Sequence, residues 1–399
     1  MTTTTTTTPI LPRTVLCMGV SLLVSWGVSY YLIGVFGDRM AEDLGWSLPL
    51  VHGGFTAALL AMGAVSGAAG RLIDRHGGRG VMMAGAVLTA AGCCGLALSH
   101  GLVAYYASWI CLGVAMRLTL YDAAFATLAG LGGPSAKAAM AQVTLFGGLS
   151  STVFWPFGDA LADRLGWRGA LFVYAGLSLA TVLLHFAVPA GRARPPAGAV
   201  AHAPPLAGTP RDRALAGGLY ALAFALAHFL SSAMSAHVIG LLTGLGIAAS
   251  AAVWIGMFRG IGQVAGRLGQ VVLGGRVHPI DLNLAAASLL PLSFALALAG
   301  GNAVLAATAF VFLYGAGHGV LAITQGTLPL VLFDHRTYGA VVGRLLVPSF
   351  VVSAAAPLVF AVVIERFGET VAIALSLLLA GLALASALLL ALHFRRLRT

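Results

Sequence analysis

Charge is scarce in this chain. Only 9% of its 399 residues are Asp, Glu, Lys or Arg, and just 12 are acidic. Soluble domains carry about 25% charged residues, so an ordinary water-facing surface is excluded. Cysteine is also sparse. Cys17, Cys93, Cys94 and Cys111 all fall in apolar runs, which excludes a loop-stapling disulfide framework and leaves buried thiols acting as small hydrophobes. No P-loop, nucleophile elbow, HExxH or dinucleotide fingerprint occurs, so neither an ATP-driven pump nor an enzyme built on those motifs is expected. Nothing in the sequence calls for a cofactor or a bound metal.

What is present is apolar. Hydrophobic residues make up 59% of the chain, with 52 glycines and a mean hydropathy of +0.95. A chain of this length has too little interior to hide so much apolar surface from water. The charges are also unevenly spaced, leaving twelve windows of roughly the 20 residues that cross a bilayer. The first is 14–36, the fourth 101–127, the seventh 213–236, the eighth 248–270, the tenth 302–326 and the last 370–392. Alternating ten-residue segments, the mark of a membrane β-barrel, are not seen. The expected fold is therefore all-α, with the bilayer as solvent. "MTTTTTTTPILPR" reads as a polar tail, and no cleavable signal is expected.

The basic residues orient the spans. With the N-terminus inside, sixteen Lys and Arg fall in cytoplasmic segments, among them Arg71, Arg75, Arg79, Lys137, Arg211, Arg336 and Arg395. Only Arg39, Arg164, Arg168 and Arg366 fall outside. This bias puts both termini in the cytoplasm of a multi-pass cell-membrane protein, with a bacterial inner membrane expected. It also accounts for most of the net charge of +10, so no nucleic-acid partner is needed.

One polar interruption, "PAGRARPPAGAVAHAPPLAGTPRDR" at 189–213, splits the spans six and six. The expected organisation is a cytoplasmic tail (1–13), a first bundle (14–189), a linker (190–212), a second bundle (213–393) and a short tail (394–399). The halves echo one another. "GRLIDRHGGR" at 70 returns as "GRLGQVVLGGR" at 266, "DRLGW" at 163 as "ERFGE" at 365, and "DLGWSLPLV" at 43 as "GLGIAASAA" at 244. Three matches in one order argue for duplicated six-helix bundles, a pattern of secondary transporters.

Twelve spans in two halves, together with Gly70-x-x-x-Asp74-Arg75-x-Gly77-x-Arg79 between the second and third, resemble the major facilitator superfamily. Gly78 departs from the basic residue usual there, and the second copy has Gln270 at the acidic position. Gly34-Val35-Phe36 and Gly45-Trp46-Ser47 resemble the branch of monocarboxylate transporters and oxalate/formate antiporters. "LYDAAFATL" and "LFGGLSSTVFWP" are similar to a group of bacterial facilitators, some of them described as arsenite exporters. The resemblance implies alternating access of two pseudo-symmetric bundles, in a monomer that moves a small molecule with a coupling proton or ion. It also implies that the loop of Gly70, Asp74, Arg75, Gly77 and Arg79 gates the cytoplasmic side. On physical grounds Asp74 is placed to meet Arg75, Arg79 or the positive end of a neighbouring helix. The alternative is a loop that serves topology alone.

Ionisable residues inside a membrane usually pair or line a water-filled cavity. Arg117, Asp122 and Arg259 stand out. Arg117 and Tyr121 share a helix face, whereas Asp122 lies about 140° round a regular helix from Arg117 and is expected to pair elsewhere or to take up a proton. Arg259 falls where the monocarboxylate branch carries an Arg for the substrate carboxylate. The acid those relatives carry four residues earlier is Ile255 here, so the resemblance carries no proton coupling to the eighth span. A guanidinium suits an oxyanion; a static pair is the alternative for either Arg. Trp26, Tyr30 and Tyr31 on the first span are candidate substrate contacts or helix packing. His228 on the seventh span and His318 on the tenth are candidate proton relays or neutral links between helices. His228 is also a candidate substrate contact. The expected function is transport of a small anionic organic solute, with efflux of a drug or arsenical as the alternative.

Overall fold

The computed structural model describes residues 10–191, 204–272 and 276–395. In chain order the helices are α1 (Pro12–Ser25), α2 (Leu32–Leu44), α3 (Leu48–His76), α4 (Gly78–Ala97), α5 (Leu102–Thr119) and α6 (Tyr121–Gly132). Next come α7 (Lys137–Gly148), α8 (Ser150–His185), α9 (Pro210–Gly244), α10 (Ala249–Val272) and α11 (Pro279–Gly300). The last are α12 (Val304–Thr327), α13 (Pro329–Leu332), α14 (Tyr338–Leu345), α15 (Val347–Phe367) and α16 (Glu369–Arg395). No strand occurs among the described residues. Helix is what an apolar chain must form where no water satisfies its backbone. Proline at the first turn of α1, α9 and α11 helps to start them, since its missing N–H would have no intrahelical partner there.

Among the described residues, ten helical stretches are long and apolar enough to cross a membrane. One of them, Lys137–His185, has 49 residues, about 74 Å of helix, or more than twice a bilayer core. It turns at Gly166, whose φ of 68° is a left-handed conformation open to glycine at little cost, and so supplies two spans. With α10 as a further 24-residue helix, the described residues supply twelve helical segments of spanning length. Leu183, Leu305 and Leu358 are each at least 70% exposed, as suits side chains facing lipid.

The chain divides into two compact units. The first comprises 1–204 with 334–347, and the second 205–333 with 348–399. In the first, α4 packs on α5 and α8, α3 on α5 and α14, and α1 on α7 and α8. Small residues set the spacing: a Cβ on Gly113 of α5 would run into the Ala58 carbonyl of α3. In the second unit α12 packs on α10 and α11, and α16 on α9 and α11. There α10 and α12 interlock through glycines at four-residue spacing. Cβ atoms on Gly262 and Gly266 would meet the carbonyls of Phe312 and Ala316, and on Gly315 and Gly319 those of Arg259 and Gln263. This close approach brings Arg259 beside Tyr314 and His318.

Candidate functional site

The fourth span is not one helix. Leu120 is extended (φ −84°, ψ −167°) and separates α5 from α6. The regular-helix expectation for Arg117 and Asp122 is thereby corrected. The break swings Asp122 round so that its Oδ2 lies 3.6 Å from Arg117 Nη1, with Arg117 1% and Asp122 7% exposed. Arg117 Nε donates to Ser66 Oγ at 2.8 Å. The buried Tyr338 lies within electrostatic reach of Arg117, Asp122 and Asp74. Neither proline nor glycine marks the break. Thr119, whose hydroxyl donates to the Ala115 carbonyl at 2.9 Å, is the kind of residue that bends a membrane helix there.

The first span is irregular too. Trp26–Tyr30 form a turn of π-helix, a form frequently found at functional sites. That turn gathers rings. Trp26 lies 4.9 Å from Tyr30, 5.9 Å from Tyr31 and 5.0 Å from Tyr121 between centroids, and Tyr30 reaches Phe55 at 5.1 Å. The four sequence candidates therefore form one aromatic group, with Tyr121 Oη donating to the Thr144 carbonyl at 3.1 Å. All four remain half-buried.

In the loop motif, Asp74 accepts from the amides of Gly339 at 3.0 Å and Ala340 at 2.7 Å, at the N-terminus of α14. Gly70 lies so close to Gly339 that a Cβ there would meet its carbonyl. Gly343 packs on the Ser66 carbonyl and Arg117 in the same way. Arg79 stacks over the Phe186 ring at 4.7 Å, Gly77 takes a φ of 81°, and Arg75 is exposed.

The second unit holds Arg259, His228 and His318. Arg259 Nη1 donates to Ser235 Oγ at 2.8 Å, and Nη2 to the hydroxyl and carbonyl of Ser231 at 3.2 and 3.3 Å. Its Nε is buried without a hydrogen-bond partner. Its guanidinium carbon lies 5.8 Å from the Tyr314 ring centre. Among the described residues no carboxylate comes within ion-pair distance of it. His318 stacks on Tyr314 at 6.2 Å, and its Nε2 is 3.0 Å from Ser231 Oγ. His228 Nε2 pairs with Gln325 Oε1 at 2.9 Å, and Tyr220 donates to the Gln325 carbonyl at 2.8 Å. Chemically, the first unit encloses a cation with a carboxylate at ion-pair distance, although Arg117 Nη1 makes no hydrogen bond, whereas the second presents a cation whose partners are neutral.

The sequence profile described as Major Facilitator Superfamily matches residues 17–347. The chain belongs to that superfamily. Solved structures agree on the fold of this facilitator. The human organic anion transporter MFSD10 (TETRAN) is 18% identical at a TM-score of 0.71, covering 95% of this chain and 99% of its own. A bacterial homologue of the iron transporter ferroportin is 13% identical at 0.72, covering 96% and 99%. The transporter FucP, in its outward conformation, is 16% identical at 0.70, covering 96% and 99%. No curated protein sequence matches the chain significantly. Neither the profile nor these structures single out the monocarboxylate or oxalate/formate branch.

Ser66, Ser235 and Tyr314 touch this facilitator's charged candidates, and Tyr338 lies within electrostatic reach of them, without having stood out in its sequence. For Ser235 and Tyr314 a signal existed. Ser231 and Ser235 are one helical turn apart, as are Tyr314 and His318, on spans that pack with that of Arg259.

Proposed function

We propose that the chain is a secondary active transporter that moves a small anionic organic solute by alternating access, coupled to a proton or another ion. The observation that carries this is the contrast between Arg117 and Arg259. Arg117 is matched by Asp122. Arg259 has only hydroxyl and carbonyl partners, and its Nε makes no hydrogen bond. A guanidinium held in an apolar helix without a counter-charge is costly, and a substrate oxyanion in its bidentate fork offsets that cost. The organic anion named for one fold neighbour is in keeping with this reading. Trp26, Tyr30, Tyr31 and Tyr121 are proposed to contact the uncharged part of the solute, with His228 as a polar contact. Asp122, His228 and His318 are the proposed proton sites, and a proton on Asp122 would release Arg117. The Asp74 contact to α14 is the proposed cytoplasmic gate, in a monomeric cell-membrane protein with both termini inside.

A thermal-shift screen of the purified protein against carboxylates, sugars, drugs and arsenicals tests the reading. Carboxylates should stabilise the unsubstituted protein and Arg117→Gln, but not Arg259→Gln. Binding lost only in Arg117→Gln moves the anion site to the fourth span. Binding unaffected by either change, or found only for drugs or arsenicals, favours efflux of a toxic compound.

A further inference from the structure

Resting on the reading of Arg259 as the anion contact, the geometry points to Ser231 as the residue that sets which hydrogen His318 offers, and hence what the site accepts. An arginine only donates, so Ser231 Oγ accepts from Arg259 Nη2 at 3.2 Å. The single hydroxyl hydrogen then needs an acceptor, and His318 Nε2 stands 3.0 Å away. When Ser231 donates to Nε2, a neutral imidazole must carry its hydrogen on Nδ1. That Nδ1 is buried and makes no hydrogen bond. Ser235 continues the same one-way order: its hydroxyl accepts from Arg259 Nη1 at 2.8 Å and donates to the Ser231 carbonyl at 2.7 Å.

The hydroxyl hydrogens of Ser231 and Ser235 are thus used internally. What remains for a ligand is the Nε–H of Arg259, the Nδ1–H of His318 and the Tyr314 hydroxyl, all buried and without hydrogen-bond partners; the first two only donate, and the hydroxyl can turn its hydrogen to join them. The ring of Tyr314 lies against both residues and holds them as neighbours. A lining of two fixed N–H donors and one rotatable hydroxyl discriminates by protonation state. An ionised oxyanion can accept from all three groups at once, whereas a carboxamide or a protonated acid of the same shape brings hydrogens of its own, which only the Tyr314 oxygen can accept. Ser231 and His318 therefore make the site choose the charged form over its neutral isostere, beyond the attraction that Arg259 alone exerts. Ser231 is a positioning residue that acts through His318.

Two measurements on the purified full-length protein test this. The first needs no ligand. In protein labelled with 15N-histidine, the His318 signal, identified by its loss in His318→Phe, should be that of the Nδ1–H tautomer, and Ser231→Ala should shift it toward Nε2–H. An Nε2–H or imidazolium signal in the unsubstituted protein overturns the inference. The second compares acetate, malonate, benzoate and phenylacetate with their carboxamides. Ser231→Ala and His318→Phe should each lower the preference for carboxylate by about tenfold or more, as expected for one hydrogen bond to a charged group. Carboxylate binding lost in Arg259→Gln, with the preference unchanged in Ser231→Ala and His318→Phe, overturns the inference and leaves the anion reading standing. Carboxylate binding that survives Arg259→Gln, or is missing from the unsubstituted protein, removes the anion reading and the inference with it.

Discussion

Arg117 and Asp122 are five residues apart on one span, yet they form a buried ion pair at 3.6 Å across the extended residue Leu120. The pair lies under α14, which packs on α3 and α6 and carries Tyr338 into electrostatic reach of Arg117, Asp122 and Asp74. The break in the helix, the charge pair and the loop motif are therefore parts of one arrangement. Two charges away from water are tolerable only together.

The first prediction follows from that pairing. Asp122→Asn or Arg117→Gln alone leaves one charge buried and should destabilise the protein by about 3–5 kcal/mol. The double variant should be less destabilised than the sum of the two. Denaturation of the four proteins in one detergent measures this, and additive losses would show that the residues do not act as a pair.

The fold was legible in the sequence because span length, arginine placement and the repeated loop all follow from the bilayer. The Arg117–Asp122 pair was not. A periodicity argument assumes 100° per residue, and no proline or glycine at Leu120 marks a break; a threonine such as Thr119 is too common in spans to announce one. The π-helical turn at Trp26–Tyr30 is hidden for the same reason, although the aromatic residues it gathers were visible one by one. Arg259 and His318 stood out as ionisable groups in apolar runs. Ser231 and Ser235 acquire their role only from the packing of three helices. Serine is common in membrane spans, and its spacing alone says little.

The glycine interlock gives a second prediction. A Cβ on Gly315 would strike the Arg259 carbonyl, whereas one on Gly260, at the next position of α10, meets nothing within 4 Å. Gly315→Val should cost at least about 1–3 kcal/mol by overpacking and should weaken anion binding by displacing Arg259. Gly260→Ala should be neutral, or stabilising by up to about 1 kcal/mol through helix propensity. Equal melting temperatures for the two variants would argue against the close approach of α10 and α12.

A third concerns Asp74. Its carboxylate accepts from two backbone amides at once, and asparagine can replace only one of its oxygens. In Asp74→Asn, α14 should be held less firmly and transport should fall. Val342 on α14 is 3% exposed. In a background lacking the four native cysteines, Val342→Cys should react with a maleimide slowly when Asp74 is present and faster when Asn replaces it. Equal labelling and equal transport would leave the loop a topological role only.

The last prediction separates the two arginines by what lysine does at each. At position 117 the guanidinium reaches Ser66 through Nε and Asp122 through Nη1, at 1% exposure. An ammonium keeps the charge but offers one donor point where two directions are needed. Arg117→Lys should therefore lower stability whether or not an anion is present. At position 259 the partners are the exposed or half-buried groups of Ser231 and Ser235, which lose little when the fork is removed. Arg259→Lys should melt close to the unsubstituted protein but bind carboxylates about tenfold to a hundredfold more weakly, the effect of losing a charged hydrogen bond of roughly 1.5–3 kcal/mol. A lysine at 259 that binds carboxylates as well as arginine would mean that charge alone suffices there, and that the planar fork has no part in recognition.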